Sequence, residues 1–313
     1  MNSALPAPAT GKDWSSALFA YAIWGLFPLF WRLFAAVPAF EIVLQRSLWS
    51  AVFLAVLIAI SRRENPRRAI GKTWAARKIF IPSALLIATN WTVYVWAVNH
   101  GHVLDASLGY FVCPFIQMLL GAVFYREKIT LTVGIATAVS LGGVVWIAVS
   151  NGLHSFPWVA LILSVSFAAY GSIKKSAREV TAVNGAFFES AFLAVPALLF
   201  LIYQAAGTTP PVFYSDPKFW FLSLLGGGLT ALPLILYSDA AKRLPLSAMG
   251  FLQFLNPTIQ FALAVTVFGE RLDPSKLVGF ALIWAGVAIF LGSKLSAPSV
   301  RSILRQKAAA FFI

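Results

Sequence analysis

The sequence predicts an all-α integral membrane protein, with ten transmembrane helices arranged as two inverted five-helix repeats. Three observations lead to this prediction: apolar residues dominate the composition, they form ten stretches long enough to cross a bilayer, and the two halves share residues at one common offset. Of the 313 residues, 59% are hydrophobic and 11% are charged, and the mean hydropathy is +0.80. Soluble proteins average about 45–50% apolar and about 25% charged residues, so the solvent for this surface must be lipid.

Turn signals and charged clusters separate the apolar stretches, each of which is close to the length that a bilayer requires. A bilayer core takes about 20 apolar residues per helix. Runs such as "SRRENPRR" at 61–68 and "GTTPPVFYSDPK" at 207–218 contain the residues that end a span. No small-residue cleavage site follows the first stretch, so we expect a retained helix rather than a removed signal peptide. The predicted spans are residues 14–34, 39–60, 79–99, 104–124, 130–149, 156–174, 183–203, 219–239, 246–268 and 276–293.

The lysine and arginine residues predict which side of the membrane each loop faces. If the N-terminus is cytoplasmic, 19 of the 24 basic residues fall in cytoplasmic segments, 3 fall outside, and Arg32 and Arg46 lie within spans. Cytoplasmic loops of membrane proteins carry such an excess, so both termini are predicted to be cytoplasmic. The net charge of +13 then reflects topology, and no nucleic acid is expected as a partner.

A shift of 143 residues aligns the two halves of the sequence. Pro114 then falls on Pro257 and Arg46 falls on Glu189, each pair on equivalent spans. Because each half has an odd number of spans, the second copy enters the membrane upside down. Inverted repeats of this kind are typical of secondary transporters, which bind solute near the bilayer midplane. The predicted segments are a cytoplasmic N-terminus at 1–13, a first five-helix repeat at 14–149, a second, inverted repeat at 156–293 and a basic cytoplasmic tail at 294–313.

Two charged residues lie deep within predicted spans, where a charge is costly unless it faces protein or a water-filled cavity. Arg46 is predicted either to hold a carboxylate or another anionic group of a substrate, or to form a structural ion pair or hydrogen bonds to backbone carbonyls. Glu189 is predicted either to couple transport to proton movement, or to be a structural partner of Arg46 or of a nearby hydroxyl. The sequence leaves both alternatives open.

Six uncharged residues complete the candidate substrate-binding set, and ordinary helix packing is the alternative for each. Asn90 and Tyr94 are four residues apart and therefore share a helix face. Two others lie shortly before the matched prolines, and proline-interrupted helices at corresponding positions indicate a central cavity in carriers. Two aromatic residues precede glycines in equivalent spans, where they could stack on a flat or amphiphilic ligand. The six are Trp24, Asn90, Tyr94, Tyr110, Tyr170 and Gln253.

No metal or cofactor site is expected. Cys113 is the only cysteine, and His100 and His102 flank a turn without a third ligand nearby. No phosphate-binding G-x-x-x-x-G-K-[ST] motif is present, so the drive is expected to be a proton gradient or a counter-solute rather than ATP. No acidic cluster and no histidine–acid pair occurs within a span, so the chain is not expected to be an enzyme.

Five stretches of the sequence resemble one known family. They are "AIWGLFPLFW", "EIVLQRSLWS", "NWTVYVWAVNHGHVLDASLGYFVCP", "AYGSIKK" and "GFLQFLNPTIQFALAVTVFGE". They are similar to the RarD-type members of the drug/metabolite transporter superfamily, the ten-helix EamA group, and the resemblance covers about residues 13–293. It implies ten helices in two inverted five-helix repeats, cytoplasmic termini and a small-molecule carrier of the bacterial inner membrane.

The expected function is secondary active transport: export or exchange of a small organic solute (amino-acid-like, carboxylate or amphiphilic and drug-like) by alternating access about a midplane cavity. The alternatives are an intramembrane enzyme acting on lipid or prenyl substrates, and a non-transporting membrane sensor or assembly protein. The expected partners are the solute, the lipid bilayer and protons or a counter-solute, with a homodimer as one option for the assembly. The sequence leaves open the solute, the direction of transport, the coupling ion and the oligomeric state.

Overall fold

The structure, a computed structural model, is all-helical in the part of the chain that it describes, with no strand there. The described residues are 9–61, 66–150, 158–177, 179–206, 216–269 and 274–295. The predicted basic tail at 294–313 lies outside them except for its first two residues. The helices are α1 (Gly11–Trp31), a 3-10 turn (Arg32–Phe34), α2 (Ala39–Ser61), α3 (Pro66–Ala75), α4 (Arg77–Asn99), α5 (Val103–Tyr125), α6 (Leu131–Ser150), α7 (Trp158–Ser176), α8 (Ala182–Ala205), α9 (Pro217–Arg243), α10 (Leu246–Gln253), α11 (Leu255–Thr266) and α12 (Pro274–Leu295).

Eight helical segments of the described chain are long and apolar enough to cross a membrane, which confirms the all-α membrane class. Their outward surface fits lipid, since large apolar side chains such as Ile60 and Leu131 are 73% and 82% exposed. The two other predicted spans, 156–174 and 276–293, also coincide with helices, but α7 has two lysines in its last turn and α12 has only a shorter apolar stretch. The eight are α1 with its 3-10 turn, α2, α4, α5, α6, α8, α9 and the joined α10 and α11.

Helices α1–α5 and α7–α11 form one compact unit. Within it, α2 packs against α8 and α9, α1 packs against α9 and α11, and α4 packs against α7. Helices α2 and α9 approach closely because α9 has Gly227 at the contact, where a Cβ would lie 2.5 Å from the backbone of Trp49. The core is aromatic: the ring centroids of Trp24, Phe167 and Tyr237 lie 5.4 Å apart in each pair. These contacts hold the helices that carry the candidate residues.

The two matched prolines have different effects on their helices. Helix α10 ends at Gln253 and α11 begins two residues later, because the ring of Pro257 removes a donor and clashes with the carbonyl four residues earlier. The amide of Phe254 donates instead to the carbonyl of Phe251, at 3.3 Å. By contrast, α5 continues through Pro114 without a break. The prediction of two interrupted helices is therefore correct at Pro257 and wrong at Pro114.

Helices α6 and α12 form a second compact unit. They meet through small residues: a Cβ on Gly143 would lie 2.4 Å from the carbonyl oxygen of Gly279, so no larger residue fits without separating the helices. The hydroxyl of Ser140 donates to the carbonyl of Ile283, at 3.3 Å. Such close packing of small residues is typical of helix pairs in membranes, where van der Waals contact drives association.

A short basic helix, α3, lies where the sequence predicts only a break between spans. Its sequence is "PRRAIGKTWA", and the ring of Trp74 lies 6.2 Å from the ring of Phe188 on α8. Its ten residues are about half of what a bilayer requires. A criterion based on span length therefore does not detect it.

Candidate substrate pocket

A pocket lies inside the first unit, among α1, α2, α4, α5, α7 and α11. Every side chain that lines it is buried, so little of the pocket's surface faces solvent in this conformation. The lining atoms leave about 330 Å³ between them, of which only a small part admits a water-sized sphere. The lining residues are Trp24, Phe27, Arg46, Asn90, Trp91, Tyr94, Tyr110, Phe167, Asn256 and Gln260.

Arg46 on α2 is the charged residue of the pocket. Its side chain is 1% exposed, and its Nε donates to Oγ1 of Thr230 on α9, at 3.1 Å. Its guanidinium carbon lies 4.0 Å from the ring centroid of Trp91 and 4.5 Å from that of Trp31, which are cation–π distances. Within the described chain, Nη1 and Nη2 make no hydrogen bond and no carboxylate pairs with the guanidinium. Nη1 and Nη2 of this buried cation therefore have no hydrogen-bond acceptor among the described residues.

Asn90 joins three helices at the wall of the pocket. Its Nδ2 donates to the carbonyl of Leu163, at 3.0 Å, and to Oγ of Ser166, at 2.9 Å, both on α7. Its Oδ1 accepts from the hydroxyl of Tyr110 on α5, at 2.9 Å. The ring of Tyr94 lies 5.8 Å from that of Tyr110, and its hydroxyl makes no hydrogen bond to the described residues. Asn90 thus holds α4, α5 and α7 together while it lines the pocket.

Glu189 on α8 forms a buried ion pair with Lys174 on α7, not with Arg46. Nζ of Lys174 lies 2.9 Å from one carboxylate oxygen and 3.0 Å from the other, and both side chains are 2% exposed. The hydroxyls of Ser83 and Tyr170 also donate to the carboxylate, so the alternative of a hydroxyl partner is present as well. The charge of Glu189 is therefore balanced within the helix bundle.

Comparison with known proteins identifies the family of the chain. The sequence pattern of the EamA-like transporter family matches residues 15–149 and 156–292. This chain belongs to the EamA-like transporter family. The resemblance to RarD-type members is also confirmed, since Protein RarD of Escherichia coli is 38% identical over 277 residues, covering 88% of this chain and 92% of that protein.

Two other relatives of this EamA chain are named as transporters. An uncharacterized transporter of Pseudomonas aeruginosa is 41% identical over 286 residues, covering 87% of this chain and 91% of that protein. The uncharacterized transporter YojE of Bacillus subtilis is 37% identical, covering 88% and 92%. A solved structure with 18% identity superposes with a TM-score of 0.66, covering 90% of this chain and 98% of that chain, and shows the shared fold. Membership in this family supports a transporter role.

Three predicted site residues of the EamA chain lie outside the pocket lining. Glu189 is held by its ion pair, as described above. Tyr170 stacks on Tyr237 at 6.0 Å, and its hydroxyl donates to Glu189 at 3.4 Å, so it lies between the pocket wall at Phe167 and the ion pair. Gln253 is fully buried at the end of α10, beside Cys113. The other five predicted residues, Trp24, Arg46, Asn90, Tyr94 and Tyr110, all line the pocket.

Sequence reasoning missed five lining residues, of which two are polar. Nε2 of Gln260 donates to Oδ1 of Asn256, at 2.7 Å, while Oε1 of Gln260 makes no hydrogen bond to the described residues. The sequence contains a feature that could have identified each of these two residues: Gln260 matches Gln117 at the 143-residue shift, and Asn256 directly precedes Pro257. The three aromatic residues have no such feature, because aromatic side chains at helical spacing are equally expected in ordinary helix packing. They are Phe27, Trp91 and Phe167.

Proposed function

We propose that this EamA-family chain is a secondary active transporter that moves a small organic solute across the bacterial inner membrane by alternating access at the Arg46 pocket. The observation that carries the proposal is Arg46 itself, a buried cation with two unpartnered donors inside an apolar helix bundle. Buried polar groups without partners destabilise a membrane fold. A site that binds a solute would account for their retention.

The proposed architecture has ten spans, formed by the eight long apolar segments together with α7 and α12, in two inverted repeats at 14–149 and 156–293. Helices at all ten predicted positions support it, as does the distribution of 19 of 24 basic residues to one side. Both termini are then cytoplasmic. With five helices in each repeat, the two halves can rock against each other around one site, which is how inverted-repeat carriers work.

The pocket must open before a solute can bind, because its lining side chains are buried and little of its space admits a water-sized sphere. The break between α10 and α11 is the proposed hinge. It lies at Phe254, two residues before Asn256 and six before Gln260, so a change of angle there would move both lining residues. Hinges in moving proteins are commonly a few residues at the ends of helices.

The solute classes that fit the pocket are amino-acid-like compounds, carboxylates and amphiphilic, drug-like compounds. Arg46 would hold an acidic group, Trp24 and Trp91 would contact an apolar body, and Tyr94 would exchange hydrogen bonds with polar substituents. Glu189 is the proposed proton-coupling group, with a counter-solute as the alternative drive. Proton uptake there would end its ion pair with Lys174, which links α7 to α8.

The experiment is solute counterflow with purified protein in liposomes. Liposomes that contain the carrier and an excess of unlabelled solute accumulate labelled solute from outside, whereas protein-free liposomes do not. Chemical turnover of the solute without translocation would instead favour an intramembrane enzyme. Binding without either turnover or translocation would favour a sensor.

A further inference from the structure

The charges around Arg46 restrict which solutes the pocket can hold. Among the described residues that line the pocket, Arg46 is the sole charged residue and no aspartate or glutamate is present. A second space of about 160 Å³ also borders Arg46, and it is lined by Trp31, Gln45 and Ser223 among others, again without an acidic residue. The buried carboxylate of Glu189 is already held by Lys174 and two hydroxyls. The solute itself must therefore supply the negative charge.

Unpartnered hydrogen-bond groups around Arg46 are mostly donors. In the described chain these are Nη1 and Nη2 of Arg46, Nε1 of Trp31 and the hydroxyl of Tyr94, which can also accept. Oε1 of Gln260 is the unpartnered acceptor of the lining. A carboxylate has two acceptor oxygens and binds a guanidinium through two parallel hydrogen bonds. It supplies the acceptors that these donors lack.

The remaining surface of the pocket suits an apolar body. Six of the ten lining side chains are aromatic, and their rings bury large areas and stack on flat groups. One guanidinium balances one negative charge, so a doubly charged anion would bring an excess charge into a site of low dielectric. The pocket therefore fits a single carboxylate attached to a hydrophobic or aromatic group.

An ammonium group on the same solute would be unfavourable. A zwitterion has no net charge, so it leaves the pocket with the full charge of Arg46. Its ammonium would lie close to the carboxylate that Arg46 holds, and a cation near the guanidinium is repelled in apolar surroundings. No acidic side chain of the described lining could pair with it. We infer that the pocket binds hydrophobic monocarboxylates in preference to the zwitterionic amino acids of the same skeleton; this inference rests on the proposed transport function.

Matched ligands test the inference on the purified full-length protein. The aromatic set is 3-phenylpropanoate, phenylalanine, the neutral 3-phenylpropanamide and the cation 2-phenylethylamine; the aliphatic set is hexanoate and 2-aminohexanoate. Thermal stabilisation gives the affinities, and counterflow in liposomes gives transport. We expect each carboxylate to bind at least tenfold more tightly than its amino acid, and the amide and amine to bind more weakly than the carboxylate. Equal affinities, or no binding by any ligand, would overturn the inference.

Three variants test whether the preference for the carboxylate over the amino acid arises in the pocket. Arg46→Gln should abolish the preference for the carboxylate, whereas Arg32→Gln, which removes a guanidinium that lies over Phe268 outside the pocket, should keep it. Gln260→Glu adds the missing acidic group and should reduce the preference at least tenfold, which keeps the test valid if Arg46→Gln fails to fold. An unchanged preference in Gln260→Glu would contradict the inference.

The two proposals can fail separately. Transport in which the amino acid has the higher affinity would overturn the inferred selectivity alone. Selective binding of the carboxylate without any counterflow would overturn the proposed transport function alone.

Discussion

Nζ of Lys174 lies 2.9 and 3.0 Å from the two carboxylate oxygens of Glu189, and these two buried residues join the consecutive helices α7 and α8. Ser83 on α4 and Tyr170 on α7 complete the hydrogen bonds of the carboxylate. The pair is neutral as a whole, whereas Arg46 in the pocket has no anionic partner in the described chain. These two buried charge sites therefore differ: the protein balances the charge of Glu189, whereas Arg46 has no acidic partner among the described residues.

The first prediction concerns the stability of this ion pair. Lys174→Met and Glu189→Gln should each destabilise the protein by about 3–5 kcal/mol, because each leaves one buried charge uncompensated. The double variant should recover most of the loss. Thermal denaturation midpoints in detergent form the double-mutant cycle, with Lys12→Met at the exposed start of α1 as the control. Additive losses in the double variant would show that the two charges do not depend on each other.

The second prediction concerns proton coupling. The neutral double variant, Lys174→Met with Glu189→Gln, should retain counterflow but lose solute accumulation driven by a pH gradient. The reason is that exchange of solute needs only the pocket, whereas coupling needs a group that binds a proton. Asp105→Asn, at an exposed carboxylate, is the matched control and should keep both activities. Gradient-driven accumulation by the double variant would leave Glu189 with a structural role.

Sequence alone predicts the helix positions well, because bilayer thickness imposes a nearly fixed length on each apolar span. It misses α3, whose polar composition follows no such rule. It also misses the different effects of Pro114 and Pro257, since the same residue leaves one helix continuous and divides the other. Whether a proline breaks a helix depends on how neighbouring helices support the freed backbone groups, and that information is not local.

For the site, the sequence predicts which polar residues are exceptional but not which of them meet. Arg46 is recognisable because hydrocarbon makes an arginine costly. Lys174 is not, because a lysine in the run "KKSARE" reads as a loop charge that sets topology. Its long side chain instead lies within the bundle and reaches Glu189, 15 residues later in the chain. The length and flexibility of lysine allow this, so span boundaries alone cannot reveal the pair.

The third prediction separates structure from binding at Asn90. Asn90→Leu should destabilise the protein more than Tyr110→Phe, because it removes three hydrogen bonds and leaves the Tyr110 hydroxyl unpaired. Each buried unsatisfied group costs about 1–3 kcal/mol. Tyr110→Phe leaves one such group, Oδ1 of Asn90, whereas Asn90→Leu leaves the Tyr110 hydroxyl and also removes the donor to the two acceptors on α7. Denaturation midpoints in detergent check the order. If both variants lost the same stability, Asn90 would not be the residue that joins α4 to α7.

The fourth prediction concerns the aromatic faces around the guanidinium. Trp91→Leu should weaken binding of 3-phenylpropanoate by about tenfold or more, since a desolvated cation–π contact contributes about 2 kcal/mol and also orients Arg46. Trp91→Phe keeps an aromatic face and should weaken it less. Trp96→Leu is the control, because Trp96 stacks on His100 and does not line the pocket. Equal affinities in Trp91→Leu and Trp91→Phe would show that Trp91 contributes only volume.

The fifth prediction uses two neighbouring glycines of α6. A Cβ at Gly143 would lie 2.4 Å from the carbonyl oxygen of Gly279, whereas a Cβ at Gly142 meets nothing within 4 Å. Gly143→Ala should therefore separate α6 from α12 and lower the denaturation midpoint, since overpacking costs about 1–3 kcal/mol. Gly142→Ala should leave the midpoint unchanged or raise it, because alanine favours a helix by about 1 kcal/mol over glycine. Both variants add one methyl group at adjacent positions, so the difference between their denaturation midpoints measures the contact of α6 with α12. Equal midpoints would mean that the second unit does not depend on this close approach.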